Sequence, residues 1–319
     1  MNTINTQSNV APESHSDSQV TASGVSAPAV ISSTQLMYWS VRRELLENRS
    51  IYIAPLAVAA VFLVGFMVSL VHFPQKMRGA FALDAMQRHE LVEQPYHFAS
   101  LLIMGAYLFV AVFYCLDALY GERRDRSILF WKSLPVSDLM TVLSKASIPI
   151  LVLPIVTFAI TLATQWIMLF MSSVVLMGGG VSPATLWSQL PWFQMSLMLF
   201  YHLLAIHGLY YAPIYCWMLL VSSWARRAPF LWASLPLLVI SIVEKVTLNT
   251  WHFANLLNSL VSDAAGAGDI TAPGGVMMHP LTLQTVGRYL ASPGLWIGLA
   301  ISAAFLAAAV RIRRNQGPI

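Results

Sequence analysis

The sequence predicts an all-α protein that crosses a membrane six times, and three observations carry that prediction. Charged residues make up 10% of the chain against 57% apolar ones, whereas a soluble domain carries roughly 25% charged residues. The 18 basic and 14 acidic side chains are too few to cover a globule of 319 residues. Six apolar runs also reach the length of about 20 residues that a helix needs to traverse a hydrocarbon core about 30 Å thick.

Residues 1–34 come first. Positions 1 to 30 contain no Lys or Arg and are rich in Ser, Thr, Ala, Val and Pro without an apolar period, which reads as a disordered cytoplasmic tail. A secretory signal needs a basic start and an apolar stretch of about 7 to 15 residues, and neither is present. Next comes "QLMYWSVRRELLENRS", with Tyr38, Val41 and Leu45 at helical spacing and charges on the remaining face. Two readings stay open for it: an amphipathic helix lying on the inner membrane surface, and a positive flank that only sets orientation.

The spans follow at 51–72, 98–119, 147–171, 193–222, 229–248 and 291–310. From Ala146 to Ala225 the chain holds no Asp, Glu, Lys or Arg, and "GGGVSP" at 178–183 breaks that stretch into two. About 40 residues rich in Ala, Gly, Asn, Ser and Pro separate the last two spans. They include a candidate interfacial helix at 249–262, whose Trp251 and His252 suit a headgroup layer.

Counting basic residues by side sets the orientation. Thirteen fall on one side: Arg42, Arg43, Arg49, Arg123, Arg124, Arg126, Lys132, Lys145, Arg226, Arg227, Arg311, Arg313 and Arg314. Lys76, Arg78, Arg88, Lys245 and Arg288 fall on the other. The positive-inside rule then places both termini in the cytoplasm, including the short tail 315–319. In a bacterium this is the inner membrane.

Residues 120–146, "YGERRDRSILFWKSLPVSDLMTVLSKA", lie on the cytoplasmic side of that count. Each charge left in hydrocarbon costs about 2.5 kcal/mol or more, so the segment is a loop outside the bilayer. The break at Pro135 and a candidate N-cap at Ser137 predict two short helices. The loop therefore presents apolar side chains and cations together, either as a docking surface or as a solvated anchor.

Glu122 and Arg123 right after the second span, then Leu134, Pro135, Val136 and Ser137, then Lys145, form an ordered set. With "VRRELLENR" before the first span and "SSWARRAPFLWASLP" between the fourth and fifth, the chain resembles the ABC transporter type-2 permease family over residues 35–314. The resemblance implies a six-span permease subunit, working as a homodimer or heterodimer with a separate cytoplasmic ATPase and exporting a substrate. It implies that the 120–146 segment is the coupling region, with Glu122, Arg123, Arg124, Arg126 and the Leu134–Ser137 run contacting the ATPase and Arg226 and Arg227 nearby. ATP and Mg would belong to that partner.

The residues themselves agree that this chain has no phosphate-cradling loop. None of its four lysines, Lys76, Lys132, Lys145 and Lys245, follows a GxxxxG spacing. No nucleophile elbow is present, so neither catalytic residues nor a metal or other cofactor are expected, and the chain reads as a transporter subunit rather than an enzyme. Nothing in it suggests nucleic-acid binding. The rival readings are an ion-gradient carrier or channel, and a membrane anchor subunit.

Inside the spans, His202 and His207 stand five apart, which on a regular α-helix turns them about 140° from one another, away from a shared metal. With Tyr211 and Tyr215 beside the helix-breaking Pro213, they form either a substrate lining or a packed core. Asp117, near the inner end of the second span, either pairs with Arg124 or takes part in transit. Glu244 and Lys245 read as a mutually compensated pair at the headgroups. Cys115 and Cys216 read as buried thiols that pack as small hydrophobes.

Overall fold

The computed structural model describes residues 32–80, 84–133, 136–180, 182–255, 287 and 290–316. Among these the regular structure is helical. Among the described residues five helices are long and apolar enough to cross a membrane, or six if one bent pair counts as a single span.

Helix α1 (Ser33–Glu47) starts where the Ser32 hydroxyl accepts a bond from the Gln35 amide. Helix α2 (Ser50–Leu70) is the first long apolar helix. After the short α3 (Phe73–Ala80), α4 (Ala85–Asp117) begins at an Asp84 cap. Its 33 residues run about 50 Å. The second long helix therefore starts well before residue 98, and its first turns, with Gln87, Arg88, His89, Glu90 and Glu93, are too polar to have registered in an apolar window.

Helices α5 (Tyr120–Arg124), α6 (Ser127–Ser133) and α7 (Asp138–Ser147) form the charged loop. Ser137 caps α7 as its sequence predicts, its hydroxyl accepting from the Met140 amide at 3.1 Å. Pro135 and Leu134 lie outside the described residues. Helix α7 runs without a break into a π-helical turn, Ile148–Val152, and then into α8 (Leu153–Gly178). Pro149 and Pro154 bracket that turn, and each withholds an N–H from the regular ladder.

Helices α9 (Pro183–Gln189) and α10 (Trp192–Tyr201) lead into a second π-helical segment, His202–Tyr210. Helix α11 (Ala212–Trp224) resumes after a bend of 46°. Its early Pro213 has no N–H to continue the preceding turn. Helix α12 (Pro229–Leu248) follows, with Pro236 inside it. The last helix, α13 (Pro293–Asn315), packs along α11 with Gly298 opposite Pro213, where a Cβ would meet the proline Cγ at 3.1 Å. Close backbone approach through small residues is how helices pack when lipid surrounds them.

Two buried clusters are the largest among the described residues. One gathers Phe66, Leu70, Val92, Tyr96, Met168, Leu169 and Leu176 from α2, α4 and α8. The other gathers Ile51, Tyr107, Ala111, Tyr114, Cys115, Ile148, Leu153, Tyr215 and Leu219 around the first π segment. Cys115 and Cys216 are both buried and unbridged.

Glu244 and Lys245 do not pair as their adjacency suggests. The Glu244 carboxylate accepts from Thr250 Oγ1 at 2.9 Å and from the backbone amides of His252 and Phe253 at 2.6 and 2.7 Å, while Lys245 Nζ lies 5.2 Å from the centre of the Trp251 ring. Residues 256–262 of the predicted interfacial helix lie outside the described residues.

Candidate functional site

The charged loop closes on itself through a buried ionic core. Glu44, on the inward face of α1, is fully buried. Lys145 Nζ sits 2.8 Å from Glu44 Oε1 and 3.1 Å from Glu122 Oε1. Arg313, from the end of α13, contacts Glu122 Oε2 at 2.5 Å and Asp138 Oδ1 at 3.0 Å. Arg43 Nη2 approaches Glu44 at 2.6 Å and Glu122 at 3.6 Å. Three carboxylates meet three cations, so the core is neutral.

The second long helix reaches this core too, because Tyr114 donates its hydroxyl proton to Glu44 Oε2 at 2.9 Å. Burial works to raise the Glu44 carboxyl; the Lys145 ammonium and the Arg43 guanidinium outweigh it and hold the group below the usual carboxylate range. Burial also lifts Glu47 above its usual value against the pull of Arg43. Paired buried charges of this kind are costly to break singly, since the survivor keeps its desolvation penalty.

Arg123 is anchored in the same way. Its Nη1 donates to the backbone carbonyls of Ser223 and Ala225 at 2.7 and 3.2 Å, and the Ser222 hydroxyl accepts from the amides of Leu119 and Tyr120. Glu122 and Arg123 thus face inward and hold the loop to α1, α11 and α13. Arg124, Arg126, Ser137, Arg226 and Arg227 are exposed, and Val136 is half-buried. Leu134 and Pro135, expected beside them, lie outside the described residues.

Asp117 and Arg124 approach to 3.6 Å on the exposed side of α4 and α5, the pairing that their spacing allows. Asp117 stands ten residues beyond Tyr107 on α4, roughly 15 Å along the axis, so it does not join the histidines.

His202 and His207 do come together. Their ring centroids are 4.9 Å apart, where a regular α-helix would splay them. The segment that carries them is π-helical, and its i→i+5 closure brings residue 207 over residue 202. Tyr211 packs edge-on to His207 at 5.4 Å, and Tyr107 does so at 5.6 Å.

The Tyr107 hydroxyl lies 2.9 Å from the Pro149 carbonyl and 3.0 Å from the His207 carbonyl, one from each π segment, and 3.1 Å from the Tyr215 hydroxyl. Its single proton goes to the carbonyls, so Tyr215 is the donor to Tyr107. Gly208 lets the two segments touch: a Cβ there would stand 2.5 Å from the Ile150 carbonyl oxygen.

Four of the five residues read as a pathway from the sequence, His202, His207, Tyr211 and Tyr215, therefore share one buried polar knot with Tyr107 at its centre. Among the described residues no cluster of three or more His, Cys, Asp or Glu side chains could hold a metal ion. Glu44, Tyr107, Tyr114 and Arg313 escaped the sequence reading of the site, because each finds its partner on a distant helix. No family model, no curated protein and no solved structure matches the chain.

Proposed function

We infer that the chain is the permease subunit of an ABC exporter of the inner membrane, moving its substrate with ATP hydrolysed by a separate ATPase. The observation that carries this reading is the two-sided build of the charged loop. Its inner side is locked through Glu122, Arg123 and Lys145 to three other helices, α1, α11 and α13. Its outer side exposes Leu129 and Phe130, at 58% and 60%, and the loop also exposes Leu139, Leu143, Arg124, Arg126 and Lys132.

Exposed apolar side chains and cations on one short loop suit a groove on a partner protein. A loop held to α1, α11 and α13 passes a push on its outer side to the bundle, which is what coupling to an ATPase requires. The substrate side of the mechanism would use the space between two such subunits.

The test is purification from native membranes in mild detergent. An ATPase with a phosphate-binding loop should co-purify, and Phe130→Asp should release it while the permease stays folded and inserted. Recovery of the intact permease without any ATPase, or retention of the ATPase by Phe130→Asp, rejects the reading.

A further inference from the structure

We propose that a hydrated polar seam runs between α4 and α8, taking up water at buried hydroxyl and amide groups deep among apolar helices. On α8, Thr157, Thr161, Thr164, Gln165 and Ser172 fall within one stripe about 100° wide at 100° per residue, and all are buried. On α4, Tyr96 and Ser100 face them.

Helix α8 carries its own controls. Thr161, Thr164 and Ser173 donate to carbonyls four residues back at 2.7–2.8 Å, the way a hydroxyl satisfies itself in an apolar helix. Thr157 and Ser172 do not, and their hydroxyls make no hydrogen bond among the described residues. The Tyr96 hydroxyl faces Ser172 without reaching hydrogen-bond geometry, so it is orphaned as well.

Gln165 completes the set. Its Nε2 donates to Ser100 Oγ at 2.9 Å and to the Tyr96 carbonyl at 3.4 Å, leaving Oε1 with no donor. Turning the amide over would set its oxygen against the Tyr96 carbonyl, so the orientation is fixed. Orphaned groups at three points over 15 residues of α8, roughly 22 Å, with the Tyr96 hydroxyl of α4 opposite the last of them, are expensive to bury dry. Water with two to four polar partners is the ligand that buried hydroxyl and amide groups of this kind take.

Hydroxyl-radical footprinting of the unmodified protein in lipid discs, in heavy-oxygen water, tests the seam. Tyr96 and Met168, both on it and both almost wholly buried, should be oxidised several-fold faster than Tyr107, whose hydroxyl is already bonded. Equal labelling of Tyr96, Met168 and Tyr107 overturns the proposal. As a second measurement, Ser172→Cys should react with a small hydrophilic thiol reagent several-fold faster than Val174→Cys on the exposed apolar face. A Ser172→Cys thiol no faster than that control means a dry seam and also overturns it.

Discussion

Lys145 and Glu44, 101 residues apart in the chain, meet at 2.8 Å with both side chains almost wholly out of solvent. This contact joins the helix before the first span to the helix that leads into the third. Lys145→Ala leaves Glu44 and Glu122 buried with one cation fewer. The expected loss is about 3–5 kcal/mol, read as a lower thermal unfolding midpoint in detergent. The double variant Glu44→Leu/Lys145→Met should recover much of that loss, because no carboxylate or ammonium of the pair is then stranded. A double variant weaker than the sum of its singles would show that the pair is not the source of the cost.

The same core sets an acid limit. The Glu44 carboxyl is held below its ordinary value of 4.5 in the folded chain. Its contribution is therefore fully present above that value and is lost as pH falls through the lower, folded one. Lys145, Arg43 and Glu122 are the charges that face it, with Glu47 on the next turn of α1. Glu47 titrates in the opposite sense, but it is half exposed, and solvent screens its effect. Unfolding midpoints measured from neutral to acidic pH should drop steeply below 4.5 for the native chain and less steeply for Glu44→Gln.

Much of the architecture was legible because hydrocarbon enforces it. A run of about 20 apolar residues announces a span whatever its partners, and Ser137 announces its helix because a cap is a local device. The Asp117–Arg124 contact was likewise within reach of one helix end. The ionic core was not legible: Glu44 stands beside Arg43 in a segment whose other charges face solvent, and its partners Lys145 and Tyr114 arrive from distant helices. The histidine pair was hidden for another reason. An angular argument at 3.6 residues per turn holds only while the helix stays regular, and the turn carrying His202 and His207 does not.

Glycine 208 provides a steric test of the paired π segments. Gly208→Ala places a methyl 2.5 Å from the Ile150 carbonyl oxygen, a backbone atom that cannot swing away. Overpacking of this kind costs about 1–3 kcal/mol. Gly105→Ala, on α4 with nothing within 4 Å of its added Cβ, should be neutral or gain up to about 1 kcal/mol of helix propensity. Unfolding midpoints of the two variants side by side decide the matter, and a harmless Gly208→Ala would mean that the segments are free to part.

Tyr107 holds those segments together through one proton shared by the Pro149 and His207 carbonyls. Tyr107→Phe keeps the ring against His207 and strands both carbonyls in an apolar surround, at an expected cost of about 1–3 kcal/mol. Tyr215→Phe removes only the donor to the Tyr107 oxygen, an atom that has already placed its proton, so its cost should be smaller. If the two hydroxyls act as one chain, the double variant should lose less than the sum of the singles. A Tyr215→Phe loss equal to or above that of Tyr107→Phe would reverse the donor order, with Tyr107 giving its proton to the Tyr215 oxygen rather than to the carbonyls.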